Sequence, residues 1–422
     1  MQLTIRTVGI LMLMLCISAT QVQAQFLKNL FKDGAGKKSG QHKKAHKALT
    51  SDNYKQQGFD YPNSKVKEHY RIDVLADLYL DELVKEDKPT YKGKAPDKAV
   101  AGLDFYKGIK LAADSLSKLN YQIDVYVHDV SEAHKSVGEL ISNKKLESAD
   151  LIIGVLQSAD LEVVAKYAQK RHIHFVSALS PSDAGISDNP YFTILQPTLR
   201  SHCEWIRERI ASKHAERKVV VYSHSHEVVD AMTYGYVTDG YEELFRKLSC
   251  NKLPRMEKMK AAFDSEHPNV LIMPILDASY ADSLLQELTD SFPKYKFIVY
   301  GMPSWKGMPS LRKENAHPNV VVYLTSPFYF DTKSATSQYL VSHCRKIFGS
   351  KPGEMVYRGF ETMMWYGIKL HKYGTIFDEG KGTGIFTQFK IQPRWDKEQY
   401  PLYMENLNLF LLKYEKGGYV LE

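Results

Sequence analysis

From residue 70 onward, apolar and polar positions fall into a repeating order. Residues 71–76 (RIDVLA) form an apolar run that predicts a strand. Over 99–118, Leu103, Tyr106, Ile109, Leu111, Ala112 and Leu116 recur at helical spacing and mark one buried face. Residues 121–128 (YQIDVYVH) alternate as a strand does, and 137–143 predict a short helix. The run 150–155 (DLIIGV) is continuously apolar, the pattern of a parallel strand buried on both faces. A helix over 160–170 and strands over 174–179 and 191–195 follow. Strands alternating with helices at this spacing predict a parallel sheet with helices on both faces.

The rhythm restarts after Pro197-Thr198. Helices are predicted over 202–212, 228–247 and 280–291, and strands over 218–223 (KVVVYS), 270–276 (VLIMPIL), 296–300 (KFIVY) and 320–324 (VVVYL). Two long helices, 334–348 and 356–373, flank the breaker GSKPG, and 384–422 turns β-like. Two α/β halves of similar make-up suit 422 residues better than one domain does.

Charge changes the picture before residue 70. Residues 1–24 carry one arginine and no acid, and 25–68 carry ten lysines against four acids. They contribute +1 and +6 of the formal net charge of +7, which leaves 69–422 at zero. The first segment reads as a signal peptide: Arg6, an apolar core over 8–17, and small residues Val22 and Ala24 at the −3 and −1 positions. That core is half the roughly 20 residues needed to span a bilayer, so cleavage after Ala24 and export to the periplasm are expected. Leu15 before Cys16 does not suit a lipoprotein signal, so lipid anchoring is not expected. The Lys/His/Gly/Ser-rich stretch 25–68 is predicted to be a basic flexible linker, because it cannot bury enough apolar surface to offset its ordering entropy. Its short apolar piece FLKNLF suits contact with a membrane or with the body. A body of zero net charge has no general affinity for polyanions, so no nucleic-acid partner is expected. Trp305, Trp365 and Trp395 read as packing or wall residues.

Candidate chemistry is sparse. No GxSxG, HExxH, P-loop or strand-linked GxGxxG occurs, so no catalytic residue, metal or cofactor is assigned and the chain is expected not to be an enzyme. His224 and His226 have a spacing that suits a metal on a continuing strand, but at a strand end they read first as loop histidines. Removal of Cys16 leaves Cys203, Cys250 and Cys344; Cys203–Cys250 is the more plausible pair, and three buried thiols are at least as good a reading.

Several ordered landmarks carry a family resemblance. They are Gly102-Leu103-Asp104-Phe105-Tyr106-Lys107-Gly108 with Ala112-Ala113, Val127-His128-Asp129, and Asp150-Leu151-Ile152-Ile153-Gly154 continuing to Gln157-Ser158. Phe175-Val176-Ser177-Ala178-Leu179-Ser180-Pro181, Pro190-Tyr191-Phe192 and Gly359-Phe360-Glu361-Thr362 continue the series. Over about 70–422 the chain resembles the type I periplasmic binding proteins, particularly the branched-chain amino-acid receptors and their divergent Bacteroidota envelope relatives.

The resemblance implies an α/β, two-lobed type I periplasmic-binding-protein fold, each lobe a parallel sheet with helices on both faces, joined by three hinge crossings. Carried over, lobe one spans 69–197 plus 327–378 and lobe two 198–326 plus 379–422. A small polar ligand, an amino acid or peptide fragment, is then expected in an interlobe cleft outside the carboxyl ends of the strands. The expected ligand-binding residues are Gln157, Ser158, Ser180, Ser223 and His224. Ser158 reads equally as a helix N-cap and Ser180 as a turn serine. Two departures weigh against an α-amino acid: Gly301-Met302-Pro303-Ser304-Trp305 lacks the family's acid, and Ser223-His224-Ser225-His226 replaces an aspartate-containing loop. The implied roles are solute recognition for transport or sensing, with a membrane permease, sensor or envelope partner. The alternative is a structural or scaffolding envelope protein that retains the fold without a small-molecule ligand.

Overall fold

The computed structural model describes residues 61–422, apart from 87, 132–135, 218, 225–226, 250–254, 378–379, 397 and 399. The expected signal peptide, most of the expected linker, Cys250 and His226 lie outside the described residues. The chain divides into two compact units, the first ending at Gln196 and resuming over Phe330–Leu407, the second comprising Pro197–Tyr329 and Asn408–Glu422. It therefore passes between them three times.

Unit 1 is built on an eight-stranded sheet. Its parallel core consists of β1 (Tyr70–Ala76), β4 (Ile123–Asp129), β5 (Leu151–Val155), β6 (His174–Ser177) and β7 (Phe192–Ile194), in the order β7-β6-β5-β1-β4. A two-residue ribbon, β2 (Val84–Lys85) with β3 (Lys88–Pro89), lies apart from it. The apolar runs form the central strands because both of their faces are covered: Ile72, Val74, Leu151, Ile152 and Ile153 are fully buried. Helices Asp97–Lys118 and Glu354–Tyr373 cover one another at glycines. A Cβ on Gly108 would lie 2.1 Å from the Val356 carbonyl oxygen, and one on Gly359 2.2 Å from that of Phe105. Only glycine permits that backbone approach.

Two boundaries differ from expectation. Residues 379–407, expected in lobe two, fall in unit 1, where β13 (Lys381–Thr383), β14 (Gln388–Trp395) and β15 (Pro401–Asn406) extend the first sheet beyond β7. The parallel pairing Met404 with Thr193 and Glu405 with Ile194 fixes that attachment. The end of the expected flexible linker also packs on unit 1. Tyr61 is buried and donates to the Pro190 carbonyl at 2.8 Å. Ser64 donates to the Tyr373 carbonyl at 2.6 Å, and Lys67 meets Asp150 at 2.6 Å. These bonds offset the ordering entropy that a free linker keeps.

Unit 2 carries β8 (Val219–Ser223), β9 (Phe245–Ser249), β10 (Asn269–Ile272), β11 (Phe297–Tyr300) and β12 (Val320–Ser326), closed by antiparallel β16 (Phe410–Glu415) and β17 (Gly418–Leu421), in the order β17-β16-β12-β11-β10-β8-β9. The helix expected over 228–247 stops at Thr238, and Gly240 takes φ +76°. The chain then returns as β9, which pairs with β8 from Val219–Phe245 to Ser223–Ser249. The Asp239-Gly240 turn overrides the helical pattern because glycine adopts that backbone without steric cost. Its core centres on Trp305, fully buried, whose ring would collide with any Cβ on Gly301 and whose indole N–H donates to Ile275 at 2.8 Å. Cys203 and Cys344 are buried free thiols, and burial raises the Cys203 pKa to about 12. No helix among the described residues is long and apolar enough to cross a membrane.

Candidate functional site

In an open parallel sheet, the strand-end loops gather functional groups where successive connections leave in opposite directions. In unit 1 the chain goes from β1 to β4 on one side and then to β5 on the other, so this point lies between β1 and β5. Asp77 follows β1 there, and Gln157 follows β5. Gln157 lies beside Asp77, whose carboxyl is pushed above the usual range by burial, then by Asp160 and Asp129. Burial likewise raises Asp160, in the first turn of helix Ser158–Arg171. Asp129, at the end of β4, holds the neighbouring loop: it accepts from the amides of Leu78 at 3.0 Å and Leu80 at 2.7 Å and from the Ser131 hydroxyl at 2.6 Å.

Unit 2 repeats the switch between β8 and β10, because β9 lies on the far side of β8. His224 follows β8, and its Nδ1 lies 2.8 Å from Asp230 Oδ2. Asp230 is buried in the first turn of helix Val228–Thr238, and its other oxygen accepts from the Leu276 amide at 2.9 Å. The Tyr280 ring stacks on the imidazole with centroids 4.8 Å apart. A carboxylate fixed by a backbone amide thus orients the ring, although no carboxylate stands next to His224 in the sequence.

The five expected residues are placed unequally. Gln157 is exposed and occupies the N-cap of its helix; Ser158 is the first helical residue. Ser180 is half-buried and its hydroxyl oxygen accepts from the Ser182 amide at 3.3 Å, the geometry of a turn serine. Ser223 is buried as the last residue of β8. His224 retains partial exposure beside Asp230. Asp77, Asp230 and Arg358 went unrecognised in the sequence. Arg358 donates to the Gln196 side chain at 2.6 Å and to the Ala178 carbonyl at 3.0 Å, tying the ends of β6 and β7, and burial lowers its pKa to about 10. Among the described residues, no three or more His, Cys, Asp or Glu side chains gather as metal ligands would.

No protein-family model matches the chain, and no curated protein matches it. Solved structures do. A putative branched-chain amino acid ABC transporter protein from Rhodospirillum rubrum superposes with a TM-score of 0.59 at 12% identity, covering 84% of this chain and 100% of that one. The chain has the type I periplasmic-binding-protein fold. A second structure of this fold, an ABC transporter substrate-binding protein from Desulfitobacterium hafniense in complex with Leu, gives 0.53 at 12% identity over 84% and 100% of the two chains. Full-length LpoA from Haemophilus influenzae gives 0.54 at 14% identity over 85% of this chain, which spans 60% of LpoA. Within the turn Gly301–Trp305, Met302 and Trp305 belong to the core of unit 2, and the Trp305 ring fills the space over Gly301.

Proposed function

We propose that the protein is an exported, non-enzymatic solute-binding protein that recognises a small polar ligand bearing a cationic group. The observation that carries this reading is the polar cluster at the strand switch of each unit: Asp77, Gln157 and Asp160 in unit 1, and His224 with Asp230 in unit 2. Asp77 and Asp160 supply the acid that the Gly301–Trp305 turn lacks, so an ammonium group has partners and its desolvation is compensated. A solved protein of this fold in complex with Leu supports an amino-acid-like ligand. A membrane permease or sensor is the partner that fits this role, and the periplasm is the compartment that fits the 1–24 leader.

A scaffolding role in the envelope is the second reading. It is favoured by Ser180 and Ser223, two of the five expected contacts, which the protein's own turn and strand engage. A thermal-shift screen of residues 25–422 against amino acids, small sugars, peptides and muropeptide fragments separates the two. A stabilising cationic ligand supports recognition. An empty screen favours the scaffold.

A further inference from the structure

Residues 69–422 have zero net charge, yet the charge of unit 1 is unevenly distributed. The carboxyl ends of its parallel strands hold Asp77, Asp129 and Asp160. The amino ends are basic. Helices Asp97–Lys118 and Ser158–Arg171 terminate there in Lys118 and in Lys170-Arg171, and the turn into β5 adds Lys144 and Lys145. Helix Glu354–Tyr373 ends at the same pole, because His371 stacks on Tyr121, just before β4, at 4.0 Å, and it brings Lys372. Of the acids at this end, Asp150 meets Lys67 at 2.6 Å and Glu147 lies 3.9 Å from Arg171; Glu68, Asp124 and Asp188 are exposed there, as are the more numerous Lys65, Lys118, Lys144, Lys145 and Lys170. Basic residues in last helical turns are favoured by the helix dipole alone. That accounts for Lys118 and Lys170 but not for Lys144 and Lys145.

The position where the chain enters unit 1 gives this asymmetry a direction. Residues 61–67 bind at the same amino-terminal pole, through Ser64 to Tyr373 and Lys67 to Asp150. Residues 25–60, with eight lysines against three aspartates and the apolar piece FLKNLF, therefore join the body at its basic end. We propose that the strand-amino end of unit 1 is a docking face for an anionic lipid surface. Lysines near such a surface gain attraction that decays within a Debye length, so only a pole brought close to it contributes. The acidic, ligand-facing end of unit 1 then points away from the lipid.

Co-sedimentation of residues 25–422 with phosphatidylglycerol-containing vesicles, against pure phosphatidylcholine vesicles, tests this at low salt. Binding to the anionic vesicles alone is expected, with release in 0.5 M NaCl. The triple variant Lys144→Glu, Lys145→Glu, Lys170→Glu should lower the partition coefficient at least tenfold. The control Lys258→Glu, Lys260→Glu, on an exposed helix of unit 2, should stay within twofold. Thermal melts confirm that both variants fold. Absent binding overturns the proposal, as does a pole variant that binds like the wild type, since attachment then resides in 25–60 alone. Release by inorganic phosphate at matched ionic strength, but not by chloride, also overturns it in favour of a discrete phosphate site.

Discussion

The buried carboxylates Asp73 and Glu361 of unit 1 sit among hydrogen-bond donors, whereas in unit 2, which also buries Asp230, burial lowers the pKa of His202. In unit 1, Asp73 is fully buried, takes both Arg71 nitrogens at 2.8 Å, and lies 2.7 Å from His128. Glu361 accepts from the amides of Ile385, Phe386 and Thr387 and from the Thr387 hydroxyl, fastening helix Glu354–Tyr373 to the turn before β14. In unit 2, buried His202 meets Thr325 at 2.7 Å, and burial lowers its pKa to about 3. Burial also lowers His214 and His317. A carboxylate surrounded by donors resists acid until it titrates itself. A neutral imidazole withheld from protons becomes a liability well above that pH.

The largest expected effect falls on unit 1. Glu361→Ala strands the buried amide of Phe386 and the partly buried amides of Ile385 and Thr387; an unsatisfied buried donor costs about 1–3 kcal/mol, so a loss of about 2 kcal/mol or more is expected. Hydrogen exchange should rise around 381–395 and stay unchanged in unit 2. An equal rise in both units breaks the comparison, because the buried carboxylate would then not be a local fastening.

Acid sharpens it from the other side. The folded pKa of His202 lies below its unfolded value of about 6.5, so the unfolded chain takes up the proton first as pH falls. Unit 2 should keep its full stability above that value and lose about 2 kcal/mol by pH 5 from this site. Asp129 in unit 1 behaves differently. Burial opposes its ionised form, but hydrogen bonds from Ser131 and from the amides of Leu80 and Leu78 outweigh it and hold its pKa low. Its stabilisation is lost only as pH falls below about 4 and through that lower folded value. Burial raises Glu361, Asp77 and Asp160, so at these sites falling pH favours the folded state. Urea unfolding followed by hydrogen exchange at pH 7.5 and 5 should therefore show unit 2 weakening first, and His202→Gln should flatten that slope. Unit 1 weakening first contradicts the account.

A small effect is expected at Ser180. Its hydroxyl serves the Ser182 amide, so Ser180→Ala should cost about 0.5–1 kcal/mol of stability and leave ligand affinity unchanged. A selective loss of affinity would return Ser180 to the binding face.

The strand–helix rhythm was legible because Leu151–Val155, Val219–Ser223 and Phe297–Tyr300 are almost wholly buried and read as apolar runs. Strand β9 was not legible: it is an edge strand with exposed Arg246 and Lys247, so its composition resembles the end of an amphipathic helix. Missing β9 hid the switch between β8 and β10, and with it the pairing of His224 and Asp230. Residues 384–406 showed their β character but not their sheet, and β13 before them was not read at all, because the partner of an antiparallel hairpin is chosen by tertiary contact. Gln157 and His224 were singled out in the sequence by strand-end position and by the family resemblance. Asp77 and Asp230 were missed because an acid after a strand or in a first helical turn is ordinary until its neighbours are known.

The central claim is that the two strand switches are ligand-binding elements. The most direct measurement is isothermal titration of the tightest ligand from the screen against wild type, Asp77→Asn and His224→Gln, with melting temperatures recorded for each. Loss of a charge-assisted hydrogen bond is worth about 1.5–3 kcal/mol, so Asp77→Asn should weaken binding about tenfold or more. His224→Gln should weaken it severalfold, with both variants folded. Wild-type affinity in both folded variants would contradict the assignment of the switches as the binding site.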